Sequence, residues 1–193
     1  MRRARPNTVR VIGGRWRSRI LVFPDIEGLR PTPDRVRETL FNWLGQRLTG
    51  KVCLDLFAGS GALGFEASSR GAESVIMVEK DPRALRSLRE NARLLGADNV
   101  GFVHGDALEF LREARSRFDV VFVDAPYRLS LADKVLELLP RVLAPAGRVY
   151  LEDDAALEPA PGWQMLRRGR AGQVHFHLLG RQTDDQGGVP GNV

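Results

Sequence analysis

The run from Val52 to Gly64, VCLDLFAGSGALG, limits what this chain can fold into more than any other stretch. Val52, Cys53, Leu54 and Leu56 form a short, almost unbroken apolar series, which suits a parallel strand covered on both faces. Gly59 and Gly61 follow at once, and residues without a Cβ let the backbone turn sharply and approach a ligand closely. From Ala62 the composition turns helical. A buried strand, a glycine turn and a helix in that order place a ligand on the turn.

The same alternation continues downstream. After a strand over 52–56, the pattern predicts helix 62–69, strand 74–78, helix 82–95, strand 100–104, helix 107–115, strand 119–123, helix 131–143 and strand 147–151. Strands and helices of these lengths in succession predict an α/β fold, a parallel, doubly wound sheet with right-handed crossovers. Residues 163–168 and 173–179 then alternate as an antiparallel hairpin, a departure from the symmetric dinucleotide-binding sheet. Upstream, residues 9–12 and 15–23, joined by Gly13-Gly14, read as two short strands. A helix follows to Leu44, with Thr32 as N-cap and Pro33 at the first helical position. Val36, Leu40, Trp43 and Leu44 share its apolar side, and Arg35, Arg37, Glu38 and Asn42 its polar side. Leading straight into the Val52 strand, this helix is placed to act as a lid. The expected divisions are a basic N-terminal ribbon over 1–30, a catalytic-type domain over 31–181 and a disordered tail over 182–193.

No apolar run approaches the ~18 residues of a membrane span, and Met1-Arg2-Arg3-Ala4-Arg5-Pro6 lacks the apolar core of a signal peptide, so a cytoplasmic location is expected. The single cysteine, Cys53, excludes an internal disulfide by count and reads as a small buried hydrophobe. His104, His175 and His177 form no zinc constellation. His175 and His177 share a strand face and are expected at the surface or against nucleic acid. Charge is informative by position: residues 1–37 carry ten arginines against Asp25, Glu27 and Asp34, an excess of +7, while the rest, with 19 basic and 21 acidic side chains, contributes −2 to the total of +5. Arginine suits bidentate phosphate contacts and stacking on bases. Arg15, Arg17 and Arg19 alternate onto one face beside Trp16; together with Arg10 and Arg35 they make a candidate RNA-binding surface.

Gly59, Gly61 and Gly64 match G-x-G-x-x-G, and Glu79, with Lys80 beside it, follows at the offset of a carboxylate that accepts the two ribose hydroxyls of an adenosine cofactor. That spacing serves NAD and S-adenosylmethionine alike. Asp55 tilts the choice, since it would repel a pyrophosphate but stabilise the ammonium of S-adenosylmethionine, directly or through water. Phe57, Ala58, Gly59 and Ser60 would then wrap the methionine portion, with Gly61 also counted among the cofactor-binding residues of the turn. Asp106, followed by Ala107, can accept from an adenine amino group or cap a helix, and the two roles are compatible. After the fourth strand, Asp124-Ala125-Pro126-Tyr127 lies where open α/β sheets bind ligands, beside the cofactor's methyl group. These residue types suit methylation of an exocyclic amine on a planar ring. Such an amine is a poor nucleophile because its lone pair is delocalised. Asp124 and a backbone carbonyl can accept its two N–H bonds and aim the nitrogen, Pro126 fixes the turn, and Tyr127 offers a face for stacking.

On these residues the chain resembles the RsmD family of bacterial 16S ribosomal RNA guanine-N2 methyltransferases. The resemblance is carried by Arg10-Val11-Ile12-Gly13-Gly14-Arg15-Trp16-Arg17, by the stretch from Leu29 to Asn42 (LRPTPDRVRETLFN), by the stretch from Asp55 to Gly64, and by Ala171-Gly172-Gln173-Val174. It implies a class I S-adenosylmethionine-dependent methyltransferase sheet, Rossmann-like and parallel with a C-terminal antiparallel hairpin. It also implies S-adenosyl-L-methionine as donor, S-adenosyl-L-homocysteine as product, and a guanine of 16S rRNA as acceptor, within a 30S subunit; a monomer is expected. The family pattern is Asp-Pro-Pro-Phe or Tyr; here Ala125 stands for the first proline. From the residues alone three alternatives stay open: an NAD(P)-dependent oxidoreductase, a methyltransferase acting on adenine N6 or glutamine N5, and a non-catalytic RNA-binding assembly factor.

Overall fold

The computed structural model describes residues 7–125 and 131–182. In chain order these form β1 (Asn7–Arg10), β2 (Ile20–Phe23), α1 (Asp34–Leu44), β3 (Val52–Asp55), α2 (Ala62–Ser69), β4 (Ser74–Glu79), α3 (Pro82–Leu95), β5 (Val100–His104), α4 (Ala107–Glu113), β6 (Phe118–Val123), α5 (Ala132–Leu138), β7 (Leu143–Asp153), β8 (Trp163–Ala171) and β9 (Val174–Arg181). β1 and β2 pair as a small antiparallel sheet, and the other seven strands form one sheet in the order β5-β4-β3-β6-β7-β9-β8. β3, β4, β5, β6 and β7 run parallel, and β9 pairs antiparallel with both β7 and β8. Strand order reverses at β3, which lies between β4 and β6, so the crevice at its carboxyl end is the natural ligand site of such a sheet.

Local chemistry explains the borders. At α3, the Asp81 carboxylate accepts from the Arg83 amide at 2.7 Å, Pro82 occupies the first helical position, and Gly96 ends the helix at φ 63°. α2, by contrast, is buried along its whole length and forms the centre of the layer on one face of the sheet. That layer also holds Val9, Val11, Trp16, Leu21 and Phe23, so the small sheet shares the core of the main one. The opposite face packs Leu54, Leu56, Val121 and Val123 against α4 and α5 residues such as Leu111 and Val135.

Several expectations need correction. Residues 15–19 are not part of a strand: Gly14–Trp16 form a turn of 3-10 helix and β2 begins only at Ile20, so Arg15, Arg17 and Arg19 do not alternate on a strand face. Trp16 is buried in the core and covered by the Arg15 guanidinium, so it is not open for a base to stack on. Thr32 does not cap α1; Pro33 holds that position without a side-chain bond, and the Thr32 hydroxyl is used elsewhere. Arg37 is not on a solvated face but fully buried. α1 is a fixed part of the core rather than a lid, with Val36, Leu40 and Phe41 buried and the Phe41 ring 6.0 Å from that of Phe122. His177 is not a surface group: it is 2% exposed, and its Nε2 accepts from the Leu157 amide at 3.2 Å. Burial holds its pKa below the usual imidazole value. The helix expected over 131–143 is shorter: α5 ends at Leu138, a 3-10 turn over Leu139–Arg141 follows in which Pro140 has no amide hydrogen to continue the helix, and β7 begins at Leu143.

Candidate active site

The turn between β3 and α2 is built around its glycines. Gly59 has φ 50° and Gly61 φ 79°, conformations that cost an L side chain. A Cβ at Gly61 would stand 2.6 Å from Leu88 and 2.7 Å from Phe65, and one at Gly64 would stand 2.4 Å from the Met77 methyl. The third glycine therefore lets α2 close onto β4. Gly61 is the N-cap of α2 and has no side chain to satisfy the first helical amides. Asp55 takes that role from the end of β3, its Oδ2 accepting from the Gly64 amide at 2.9 Å. Burial pushes the Asp55 carboxyl up to about 7, the Gly64 bond opposes that shift, and Glu79 adds to it.

Glu79 sits half-buried at the end of β4. Its Oε2 accepts from the Gly59 amide and its Oε1 from the Asp81 amide, each at 2.7 Å. Two backbone donors fix the carboxylate, and each oxygen keeps a lone pair for a further donor such as a ribose hydroxyl. Ala58 is buried, its amide bonded to the Val78 carbonyl at 3.0 Å, and Phe57 is half-buried beside it. Asp106 caps α4, accepting from Leu108 at 2.9 Å and Glu109 at 3.3 Å, with Lys80 Nζ 3.5 Å away and Ala107 buried behind. The capping role is thus filled, and it leaves the carboxylate at the rim of the same crevice.

Asp124 follows β6. The Thr32 hydroxyl donates to its Oδ2 at 3.1 Å across 92 residues of sequence. Burial raises the Asp124 pKa well above the usual carboxylate value, and the charges of Glu152 and Asp55 raise it further. Glu152, on β7, accepts from the Tyr150 hydroxyl at 2.7 Å. Pro126 and Tyr127 lie outside the described residues, while Asp55, Glu79 and Asp124 converge at the carboxyl ends of adjacent strands β3, β4 and β6.

Thr32 is itself held by a buried ionic chain. Arg37 Nε donates to the Thr32 carbonyl at 3.1 Å, its Nη1 to Glu66 at 3.3 Å, and its Nη2 to Asp34. Glu66 also accepts from Arg70 Nε and from the Ile12 amide, each at 2.8 Å. Sequence reasoning missed Thr32, Arg37, Glu66 and Glu152. The available signal was Glu66, a charge inside the otherwise small and apolar helix ALGFEASS.

The expected RNA-binding residues divide. Arg10 pairs with Asp34 at 2.8 Å, near the start of α1, and Arg35 is exposed on the first turn of that helix. Arg15, Arg17 and Arg19 are exposed too, but at the other end of the sheet. Arg15 Nη2 donates to the side chain of Asn99, just before β5, at 3.0 Å, and Arg19 Nη2 lies 3.5 Å from the Leu94 carbonyl in the last turn of α3. Among the described residues there is no group of three potential metal ligands, and no helix is long and apolar enough to cross a membrane.

A family model described as conserved hypothetical protein 95 matches residues 9–180. Ribosomal RNA small subunit methyltransferase D of Escherichia coli strain K12 is 42% identical over 183 residues, which cover 92% of each chain. The protein of the same name from Haemophilus influenzae is 40% identical over 178 residues, covering 88% of this chain and 92% of that one. Among solved structures, the putative methyltransferase yhhF of Escherichia coli superposes with a TM-score of 0.82 at 40% identity, over 91% of this chain and 99% of its own.

Proposed function

Because the chain belongs to the conserved hypothetical protein 95 family, the RsmD family of ribosomal RNA small subunit methyltransferases, we propose that it transfers a methyl group from S-adenosyl-L-methionine to the exocyclic N2 of a guanine in 16S rRNA, on an assembled or partly assembled 30S subunit. The observation that carries this reading is the placing of Asp124 on Thr32 within a set of acids at one end of the sheet. A buried acid at the end of β3 and a half-buried one after β6 suit a cationic donor and disfavour the pyrophosphate of a dinucleotide.

Glu79, fixed by two amides, has the free lone pairs to accept the ribose hydroxyls, Asp55 lies beneath the turn where a cationic donor would favour its ionised form, and Asp106 with Ala107 borders the adenine side. When bound, the donor supplies an electrophilic methyl group on a sulfonium sulfur. Asp124 does the rest from the protein side. Its Oδ2 is engaged by Thr32, so Oδ1 faces the task of accepting an N–H of the guanine amine and aiming the nitrogen lone pair. Transfer would form the N–C bond and break the donor's S–C bond, leaving the neutral thioether S-adenosyl-L-homocysteine, and the methylated nitrogen must then lose one proton. A carboxylate whose pKa is raised by burial is a better acceptor for that proton than an ordinary one, so the proton passes to Asp124.

The RNA approaches from the same end, where Arg35 is exposed and Arg10 lies against Asp34. An unpaired guanine is the expected target, since a flipped or looped base exposes its amino group. The test is transfer of tritiated methyl to 30S subunits from cells lacking the enzyme, followed by identification of the modified nucleoside. N2-methylguanosine is expected; N6-methyladenosine, methylation of a protein, or no transfer would refute the reading.

A further inference from the structure

Resting on that RNA reading, we propose that the surface at the amino ends of β4 and β5, formed by the turn 14–19 and the neighbouring face of β2 and α3, docks a second segment of the RNA, remote from the base that reacts. The arginines here cannot flank the target guanine. Arg15 is tied to Asn99, whose backbone carbonyl accepts from Val75 at the start of β4, whereas Glu79 ends that strand at the catalytic side. Six residues of parallel strand span roughly 16 Å at about 3.3 Å per step. That distance corresponds to about five stacked nucleotides at 3.4 Å each.

The surface is rigid. Ser69 Oγ donates to the Gly13 carbonyl at 2.6 Å and accepts from the Trp16 amide at 2.9 Å, while Val11 and Arg19 are bonded through the backbone at 2.9 Å. A Cβ at Gly14 would lie 1.9 Å from the Ser69 carbonyl oxygen, so the turn is seated directly on the end of α2. Arg15 stacks on Trp16 with its guanidinium carbon 4.2 Å from the ring centroid. Arg17 is exposed and has no ion-pair partner among the described residues. With the backbone of the turn already fixed, only side-chain freedom is lost when these arginines meet a phosphate backbone.

Beside these arginines lie the exposed large hydrophobic side chains of the described residues: Ile20, 55% exposed, Val22, 39%, and Leu94, 55%. They fall together because Val22 exchanges backbone bonds with the Asn91 side chain at 3.1 and 2.9 Å, which lays β2 along α3. An exposed apolar patch marks an interaction surface, and its arginine border selects a polyanion. An RNA segment offers both halves, phosphates for the arginines and sugar or base faces for the aliphatic groups.

The test compares wild type with Arg17→Ala/Arg19→Ala on 30S subunits from methylation-deficient cells. KM should rise about tenfold with the loss falling on KM rather than kcat, and the salt dependence of binding should flatten by about one unit of slope per arginine. A photo-crosslinker at residue 17 should attach to rRNA several nucleotides from the modified guanine. Unchanged KM, crosslinks to a ribosomal protein, or crosslinks adjoining the target base would overturn the docking site while leaving the catalytic reading intact. Failure of wild type to methylate the subunits would refute the catalytic reading instead.

Discussion

The two ends of the main sheet are opposite in character. At the carboxyl ends of β3, β6 and β7, buried Asp55 and Glu152 flank the half-buried Asp124, and backbone amides or hydroxyls hold them in place. At the amino ends, Arg15, Arg17 and Arg19 are exposed on a turn that is braced from below by Ser69. Buried acids are expensive, because desolvation penalises their charge, and they persist where that charge is used. Exposed arginines cost little and act at range. In the reading proposed above, that difference would separate chemistry from docking along the same strands. The Arg37–Glu66 pair lies between them, joining the Ile12 amide next to the arginine turn to the Thr32 segment that holds Asp124.

The comparison can be broken most severely at Asp124. Asp124→Ala should lower kcat by about 10³-fold, within the range for loss of a general acid–base group, while calorimetry shows donor affinity retained. Lost donor affinity would make Asp124 a structural element and leave the acidic end without its chemistry. Next in size is the connecting pair. Arg37→Leu strands Glu66 in the core with only Arg70 opposite it, and breaking a buried pair costs about 3–5 kcal/mol, readable as the shift of a denaturant midpoint at constant slope. A loss below about 1 kcal/mol would mean that the buried ions contribute little.

The pH dependence of stability sharpens the comparison further. Asp55 titrates near 7 in the folded protein and near 3.9 in an unfolded chain. Between these values the folded state holds the extra proton, so stability is highest below about pH 4 as far as this group is concerned and falls as pH rises toward 7, by up to about 1.4 kcal/mol per unit. Asp55→Asn, which keeps a carbonyl oxygen for the Gly64 amide, should flatten that slope; an unchanged slope would mean that Asp55 is ionised in the fold. The smallest effect is expected at Thr32. Thr32→Val removes one hydrogen bond from Asp124, worth about 1 kcal/mol, and should lower kcat several-fold with KM little changed, whereas Thr32→Ser restores it. Equal loss in both variants would assign the effect to packing.

Much of the fold was legible from local patterns. The strand-turn-helix of 52–64 and the elements 62–69, 82–95 and 100–104 fall where apolar periodicity, Asp81-Pro82 and the glycines place them, because those signals are complete within a dozen residues. The positions of two acids were legible for the same reason: Glu79 ends β4 and Asp124 follows β6, strands whose direction the alternation fixes. Thr32 misled because Thr-Pro resembles a capping pair locally, and its hydroxyl is drawn instead to an acid 92 positions away. Arg15, Arg17 and Arg19 misled because alternation suggests a strand, while Ser69 bonds hold the chain in a tight turn.

By itself, then, the sequence determined the order of strands and helices, the glycine turn with its acids at strand ends, and the uneven distribution of arginine along the chain. Only the tertiary structure decided that Arg37 and His177 are buried, that Thr32 meets Asp124, and that the arginine turn lies at the opposite end of the sheet from Asp124. The physical reason is range. Periodicity, capping and turn geometry are settled among neighbours, whereas the burial of a charge or the end of a sheet it occupies depends on partners brought together from distant parts of the chain, whose joint desolvation and hydrogen bonding no local pattern records.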